Sequence, residues 1–228
     1  MAVVACVAQF GELGRAAQIH GEVVIQRKLT RRTVTASAGA YSRGPAVGLS
    51  ADLDEDPLAF ERRHVVIYVE GNGSGSKIEA KIEQQNRRFL PDLVVVSAGS
   101  SVTFPNEDVI FHNIFSLSKA KSFDLGNYSK GQTRTVIFPH PGIVYVNCHL
   151  HPNMSATIFV TPNGWATTAD PTGHFSLDLP PGRYTVVAWH KAAGFFKKVI
   201  DVRGESASNV VFLIAVADDG IGQSATNR

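Results

Sequence analysis

The sequence predicts an all-β protein of two sandwich-like units, on three observations. Thirteen Phe and many Val and Ile accompany 20 Gly and 11 Pro, a mixture that favours strands broken by frequent turns. Short apolar stretches recur between turn signals through the second half of the chain, the pattern of a sandwich or Greek-key barrel. With 228 residues, 44% of them hydrophobic and 18% charged, there is material for one large domain or two small ones. A wholly disordered chain is excluded.

Residues 1–16 open on MAVVACVAQF, apolar but without a positively charged start. They read either as the tail of a secretory signal whose beginning is missing or as an ordinary N-terminus. Val3-Val4-Ala5-Cys6 resembles a lipobox, with too few residues before it for that role. Residues 17–61 form an N-terminal β segment and linker. Their strand candidates are Gln18 to Gln26 and Thr33 to Ala38, and the loop is Arg43 to Pro57, rich in acids, prolines and glycines. Residues 62–161 form the central unit. It begins with His64 to Glu70, a short apolar run that reads as a buried strand. The stretch from Lys77 to Leu90 spaces Ile78, Ile82, Phe89 and Leu90 for a short amphipathic helix stopped by Pro91.

From there the central unit is β throughout, with strands predicted at Leu93 to Val96, Ser101 to Phe104, Asn113 to Leu117, Thr133 to Phe138, Val144 to Cys148 and Thr157 to Val160. Ala98-Gly99-Ser100, Pro105-Asn106, Gly126-Asn127 and Pro141-Gly142 supply the turns between them. Residues 162–216 form a second β module. Asp170-Pro-Thr-Gly173 leads into alternating Phe175, Leu177 and Leu179, the turn Pro180-Pro-Gly182, and the stretches Tyr184 to Trp189, Lys197 to Val202 and Asn209 to Val216. The tail, 217–228, is small, polar and predicted to be disordered.

Composition also narrows function. A formal charge of +2, from 22 basic and 20 acidic residues, gives no reason to invoke nucleic acid or an anionic membrane. No apolar run approaches the roughly 20 residues that span a bilayer as a helix. Two cysteines, Cys6 and Cys148, cannot make a disulfide-dense scaffold.

The chemistry concentrates in Val144-Tyr-Val-Asn-Cys148-His-Leu-His151-Pro-Asn-Met154. Strand alternation sends Val144, Val146 and Cys148 to one face, so the thiol ends a core-facing row. His151 and Met154 follow at intervals of three, and Pro152 discourages continuation of the ladder and favours a tight loop. The chain has only two Met, one of them the initiator, so thiol and thioether fall in a single seven-residue window. One further imidazole completes a two-His, one-Cys set with a weak axial Met, the blue-copper arrangement. His112 offers it, 36 residues before Cys148 and just ahead of a strand.

Val102-Thr-Phe-Pro-Asn106, His112-Asn113 and Cys148-x-x-His151-x-x-Met154 together resemble the cupredoxins, the small blue-copper proteins, and the short ligand loop is most similar to that of the amicyanins. The resemblance spans roughly residues 64–161. It implies one type 1 copper per chain, with His112, Cys148 and His151 in a plane and Met154 axial. It also implies that Asn113 helps lock the Cys loop, with Asn106 and Pro152 shaping the surroundings. The implied work is one-electron transfer between redox partner proteins, by a non-enzymatic, exported or periplasmic monomer; the amicyanin-like loop suggests a methylamine-utilisation setting. Residues 170–202 resemble carboxypeptidase-regulatory-like and transthyretin-like modules, implying a supporting sandwich without catalytic groups that strands from residues 17–40 would complete.

The same residue types have other uses. His149 alternates away from Cys148 and is expected at the rim, although His149-Leu-His151 could chelate zinc or cupric ion. Haem c attachment is excluded because no second Cys precedes Cys148-His149. His20, His64, His140, His174 and His190 are expected to be structural or exposed. Copper storage or delivery without redox turnover, and a β-sandwich scaffold, are the rival functions.

Overall fold

A computed structural model of the chain describes residues 16–30, 56–71, 73, 75–203 and 209–215. The expectations for the export signal and Cys6, for the strand at Thr33 to Ala38, for most of the loop ending at Pro57 and for the tail lie outside those residues. The fold is all-β, with one short helix, α1 (Ala59–Arg63), among the described residues. No helix among them is long and apolar enough to cross a membrane.

One unit is assembled from both ends of the chain. Strand β1 (Ala17–Ile25) alternates inward Ala17, Ile19, Val23 and Ile25 with outward residues. It pairs antiparallel with β14 (His174–Leu179) and parallel with β17 (Asn209–Ile214). The close approach at Gly21 demands glycine, because a Cβ there would lie 2.1 Å from the Phe175 ring and 2.4 Å from the Val210 carbonyl. The facing sheet runs β13 (Ala166–Thr168), β2 (Val65–Val69), β15 (Gly182–His190), β16 (Gly194–Val202). Ile19, Ile67, Leu179, Val186 and Phe212 fill the space between the sheets.

Strand β2 corrects the predicted boundary at residue 62. Val65–Val69 pairs with β13 and β15, not with the central strands. Its apolar run marks it as buried on both faces, but that does not say in which unit: Val65, Ile67 and Val69 enter this core, while Val66 turns towards the central unit.

The central unit contains the sheet β6 (Leu93–Ser97), β12 (Ser155–Thr161), β11 (Gly142–Asn147), β8 (His112–Ser118), β9 (Lys121–Tyr128), and the sheet β10 (Thr133–Phe138), β7 (Ser100–Pro105), β3 (Glu79–Lys81). Phe104, Ile114, Phe138, Val144, Val146 and Ile158 pack between them. The predicted helix over 77–90 is replaced by β3 and a hairpin of β4 (Glu83–Gln85) and β5 (Arg88–Leu90). Of the four residues spaced for a helical face, Ile82 and Phe89 are buried whereas Ile78 and Leu90 are exposed. The hairpin turns on Asn86 and Arg87, at φ 54° and 56°, the two positive φ values that a two-residue primed turn requires. Strand β9 was not anticipated because it is an edge strand whose one fully buried residue is Tyr128.

The units meet in an apolar cluster. Val66 and Trp189 of one pack with Phe159 of β12 in the other, with ring centroids 5.0 Å apart for Phe159–Trp189 and 5.2 Å for Tyr68–Phe159.

Candidate metal centre

Antiparallel pairing of β8 with β11 brings the start of one beside the end of the other, through Asn147 opposite Phe115. His112 opens β8 and is fully buried; Cys148 follows β11 and is 4% exposed. The loop after Cys148 folds back at once. The Met154 amide donates to the His151 carbonyl at 2.9 Å, closing a turn with Pro152 at its second position, where a fixed φ suits it. The Cys148 amide donates to the Met154 carbonyl at 3.3 Å, so the loop begins and ends at one place.

Three donor atoms converge there. His112 Nδ1 and His151 Nδ1 are 3.1 Å apart, and Cys148 Sγ lies 4.0 Å from the first and 3.7 Å from the second. Ligands set trigonally at the usual 2.0–2.3 Å from an ion would stand about 3.5–3.8 Å from one another. The three separations bracket that range, so the donor set fits a single transition-metal ion. It is the one group of three or more His, Cys, Asp or Glu donors with this proximity among the described residues. Met154 is buried in the same core cluster as Cys148.

The surroundings hold the imidazoles in place. His112 Nε2 lies 2.8 Å from Asp108 Oδ2. Burial works to raise the Asp108 carboxyl, but the Arg87 amide, the His112 ring and the Asn86 amide outweigh it and hold the group below the ordinary carboxylate range. His151 is pushed below the usual histidine value, first by burial and then by His112 and Arg87. Asn106 carries the loop before His112: its Nδ2 donates to the Ile110 and Tyr128 carbonyls, and its Oδ1 accepts the Asp108 amide. Asn113 departs from its implied role, since its amide donates to Asp124 Oδ1 at 2.7 Å and not to the Cys148 loop. His149 is exposed, stacks on Phe115 with centroids 3.7 Å apart, and sits 3.7 Å from Asp124 Oδ2.

Around the site lies exposed apolar surface: Val109, Ile110 and Phe111 before His112, and Leu150 before His151. Sequence reasoning did not single out Asp108. Its one signal was a carboxylate four positions before a candidate ligand.

The all-β frame thus gathers two imidazoles and one thiol at a single point, His112 and Cys148 buried and His151 half-buried. No protein-family model matches the chain, and no curated protein matches it. Among solved structures it is similar to a Cu-containing nitrite reductase from Thermus scotoductus SA-01, at 22% identity over 36% of this chain with a TM-score of 0.35; the chain spans 22% of that protein's length. It is also similar to a purple cupredoxin from Nitrosopumilus maritimus, at 22% identity over 36% of this chain and 99% of that one, with a TM-score of 0.33. For amicyanin from Paracoccus versutus the identity is 20% over 42% of this chain and 97% of the other, with a TM-score of 0.34.

Proposed function

We propose that the protein binds one copper ion, which His112, Cys148, His151 and Met154 would hold, and carries single electrons between partner proteins. The observation that carries this reading is the convergence of two imidazole nitrogens and one thiol sulfur, from sequence positions as far apart as 112 and 151, within 4.8 Å of one another. When bound, copper would supply a one-electron couple: soft sulfur favours Cu(I), imidazole accommodates Cu(II), and a preset donor geometry serves both.

The chain's own residues account for the remaining needs. Cys148 and His112 are buried, so water is kept from the thiol and the inner ring. His151 is half-buried at the surface end and is the group through which an electron would pass. Val109, Phe111 and Leu150 offer a small apolar surface beside it, suited to brief redox encounters, which typically bury less than about 1,200 Å² in total. The protein is proposed to act as an exported monomer and not as an enzyme.

Cupric ion added to the purified protein tests the reading. One equivalent should give an intense blue or violet thiolate band and a narrow copper hyperfine splitting, and both should vanish in Cys148→Ser with the fold retained. A pale tetragonal signal that survives Cys148→Ser would refute the ligand assignment and point to His149 chelation. Tight binding of copper with no reversible one-electron wave would favour storage or delivery instead.

A further inference from the structure

We propose that Asp108, clamped by the Asn86-Arg87 turn, is a positioning residue that fixes the tautomer and ring orientation of His112, and through them the potential of the copper couple. The inference rests on the copper reading for its second half only.

The contacts of Asp108 lead to it. Asp108 Oδ2 lies 2.8 Å from His112 Nε2, and its side chain is 15% exposed against 0% for the ring. A carboxyl oxygen facing Nε2 at this distance accepts a hydrogen bond from it, and the geometry thereby assigns the Nε2–H tautomer. That leaves the Nδ1 lone pair directed at Cys148 Sγ and His151 Nδ1, where an ion would bind. A carboxylate on the remote nitrogen also makes an imidazole a more basic ligand and restrains its rotation.

The carboxylate is itself held on both oxygens. Oδ1 accepts the Asn86 amide at 2.7 Å and Oδ2 accepts the Arg87 amide at 2.9 Å. Two successive amides can aim at one carboxyl because Asn86 and Arg87 are both left-handed, a conformation that residues other than glycine rarely adopt. From the other side, the Asp108 amide donates to Asn106 Oδ1 at 2.9 Å, and the Glu107 amide donates to the Gln84 carbonyl at 2.9 Å. The β4–β5 hairpin and the loop before β8 therefore grip one another around this carboxyl. A purely structural role would need only the amide contacts; the third contact, to a donor-bearing ring, is what a ligand-positioning role adds.

The test has two arms. In the metal-free wild type, long-range ¹⁵N NMR of the imidazoles should show His112 as the Nε2–H tautomer, and a His112 that carries its proton on Nδ1 would overturn the proposal whether or not any variant folds. In copper-loaded protein, Asp108→Asn should weaken cupric affinity by about tenfold or more while cuprous affinity changes less. A tenfold difference between the two states reads as about 59 mV of upward shift for a one-electron couple. A variant with unchanged potential and unchanged cupric affinity would refute the positioning role. Failure of the wild type to bind copper would sink the copper reading and this second arm, leaving the tautomer measurement to decide for or against Asp108.

Discussion

Replacing Glu61 by alanine should cost about 2–5 kcal/mol, the loss expected when several buried donors are left without their shared acceptor. Glu61 on α1 and His190 at the end of β15 are both fully buried, with Oε2 3.2 Å from Nε2. The Oε1 atom accepts the Leu29 amide at 3.3 Å, the Thr30 amide at 3.0 Å and the Thr30 hydroxyl at 2.5 Å. His190 Nδ1 accepts the Ala192 amide at 3.2 Å, which places its ring proton on Nε2, facing the carboxylate. Truncation strands the Leu29 amide and the Thr30 amide and hydroxyl, at about 1–3 kcal/mol for each that stays dry. Against a typical total of about 5–15 kcal/mol, little margin is left. Glu61→Gln keeps an acceptor for Leu29 and Thr30 but sets an amide against the His190 N–H, so a smaller loss of about 1–3 kcal/mol is expected. Both tryptophans, Trp165 and Trp189, lie in or against this unit, so urea unfolding followed by their fluorescence reads it directly.

Acid gives an independent check on the same residue. Burial opposes ionisation of Glu61, but Thr30, His190 and the Leu29 amide overcome it and depress the carboxyl. A depressed acid contributes stability that is present above its unfolded value of about 4.3 and lost as pH falls through the folded value. Wild type should therefore lose this component below about pH 4.3, and Glu61→Gln should lack it. A loss under about 1 kcal/mol for Glu61→Ala at neutral pH would refute the reasoning.

Three further outcomes are expected. His64 Nε2 lies 2.9 Å from Asp92 Oδ1; burial would lower this histidine, but Asp92 and the Phe60 carbonyl outweigh it and raise it, so the pair's contribution is complete below about pH 6.5 and fades as pH rises through the folded value; a stability profile identical to that of His64→Gln across this window would count against it. Gly21→Ala must push Cβ into the Phe175 ring and the Val210 carbonyl, costing about 1–3 kcal/mol or more in denaturant titration; a neutral result would mean that β1 shifts freely. Met154→Leu should shift the copper potential without abolishing binding, and unchanged potentiometry would count against an axial role.

The turn of the loop after Cys148 was legible because its cues are local. Alternation along Val144, Val146 and Cys148 sets the direction of the thiol, Pro152 turns the chain, and the scarcity of Cys and Met makes their closeness informative. What could not be read was tertiary. Ile78, Ile82, Phe89 and Leu90 fit a helical face as numbers, yet the chain reverses between them in a two-residue turn at Asn86 and Arg87, whose amides meet a carboxylate far along the chain. The buried character of Val65–Val69 was plain, while its sheet was not, since a strand covered on both faces carries no label for its partner. Asp108 was invisible for the same reason: its role depends on a hairpin some 20 residues away.

The packing of β12 links the two units to the centre. Six of its seven residues are buried. Ala156, Ile158 and Val160 face the core that holds Cys148 and Met154, whereas Phe159 faces Trp189 and Tyr68 of the other unit. The loop from Cys148 to Met154 joins β11 to this strand, so its C-terminal anchor is fixed from both sides. A binding constellation is held more accurately when the elements beneath it are packed and its supporting contacts are locked. The sandwich built from the chain's two ends therefore has a physical consequence at the centre without supplying a ligand: it covers the outer face of the strand on which the loop closes.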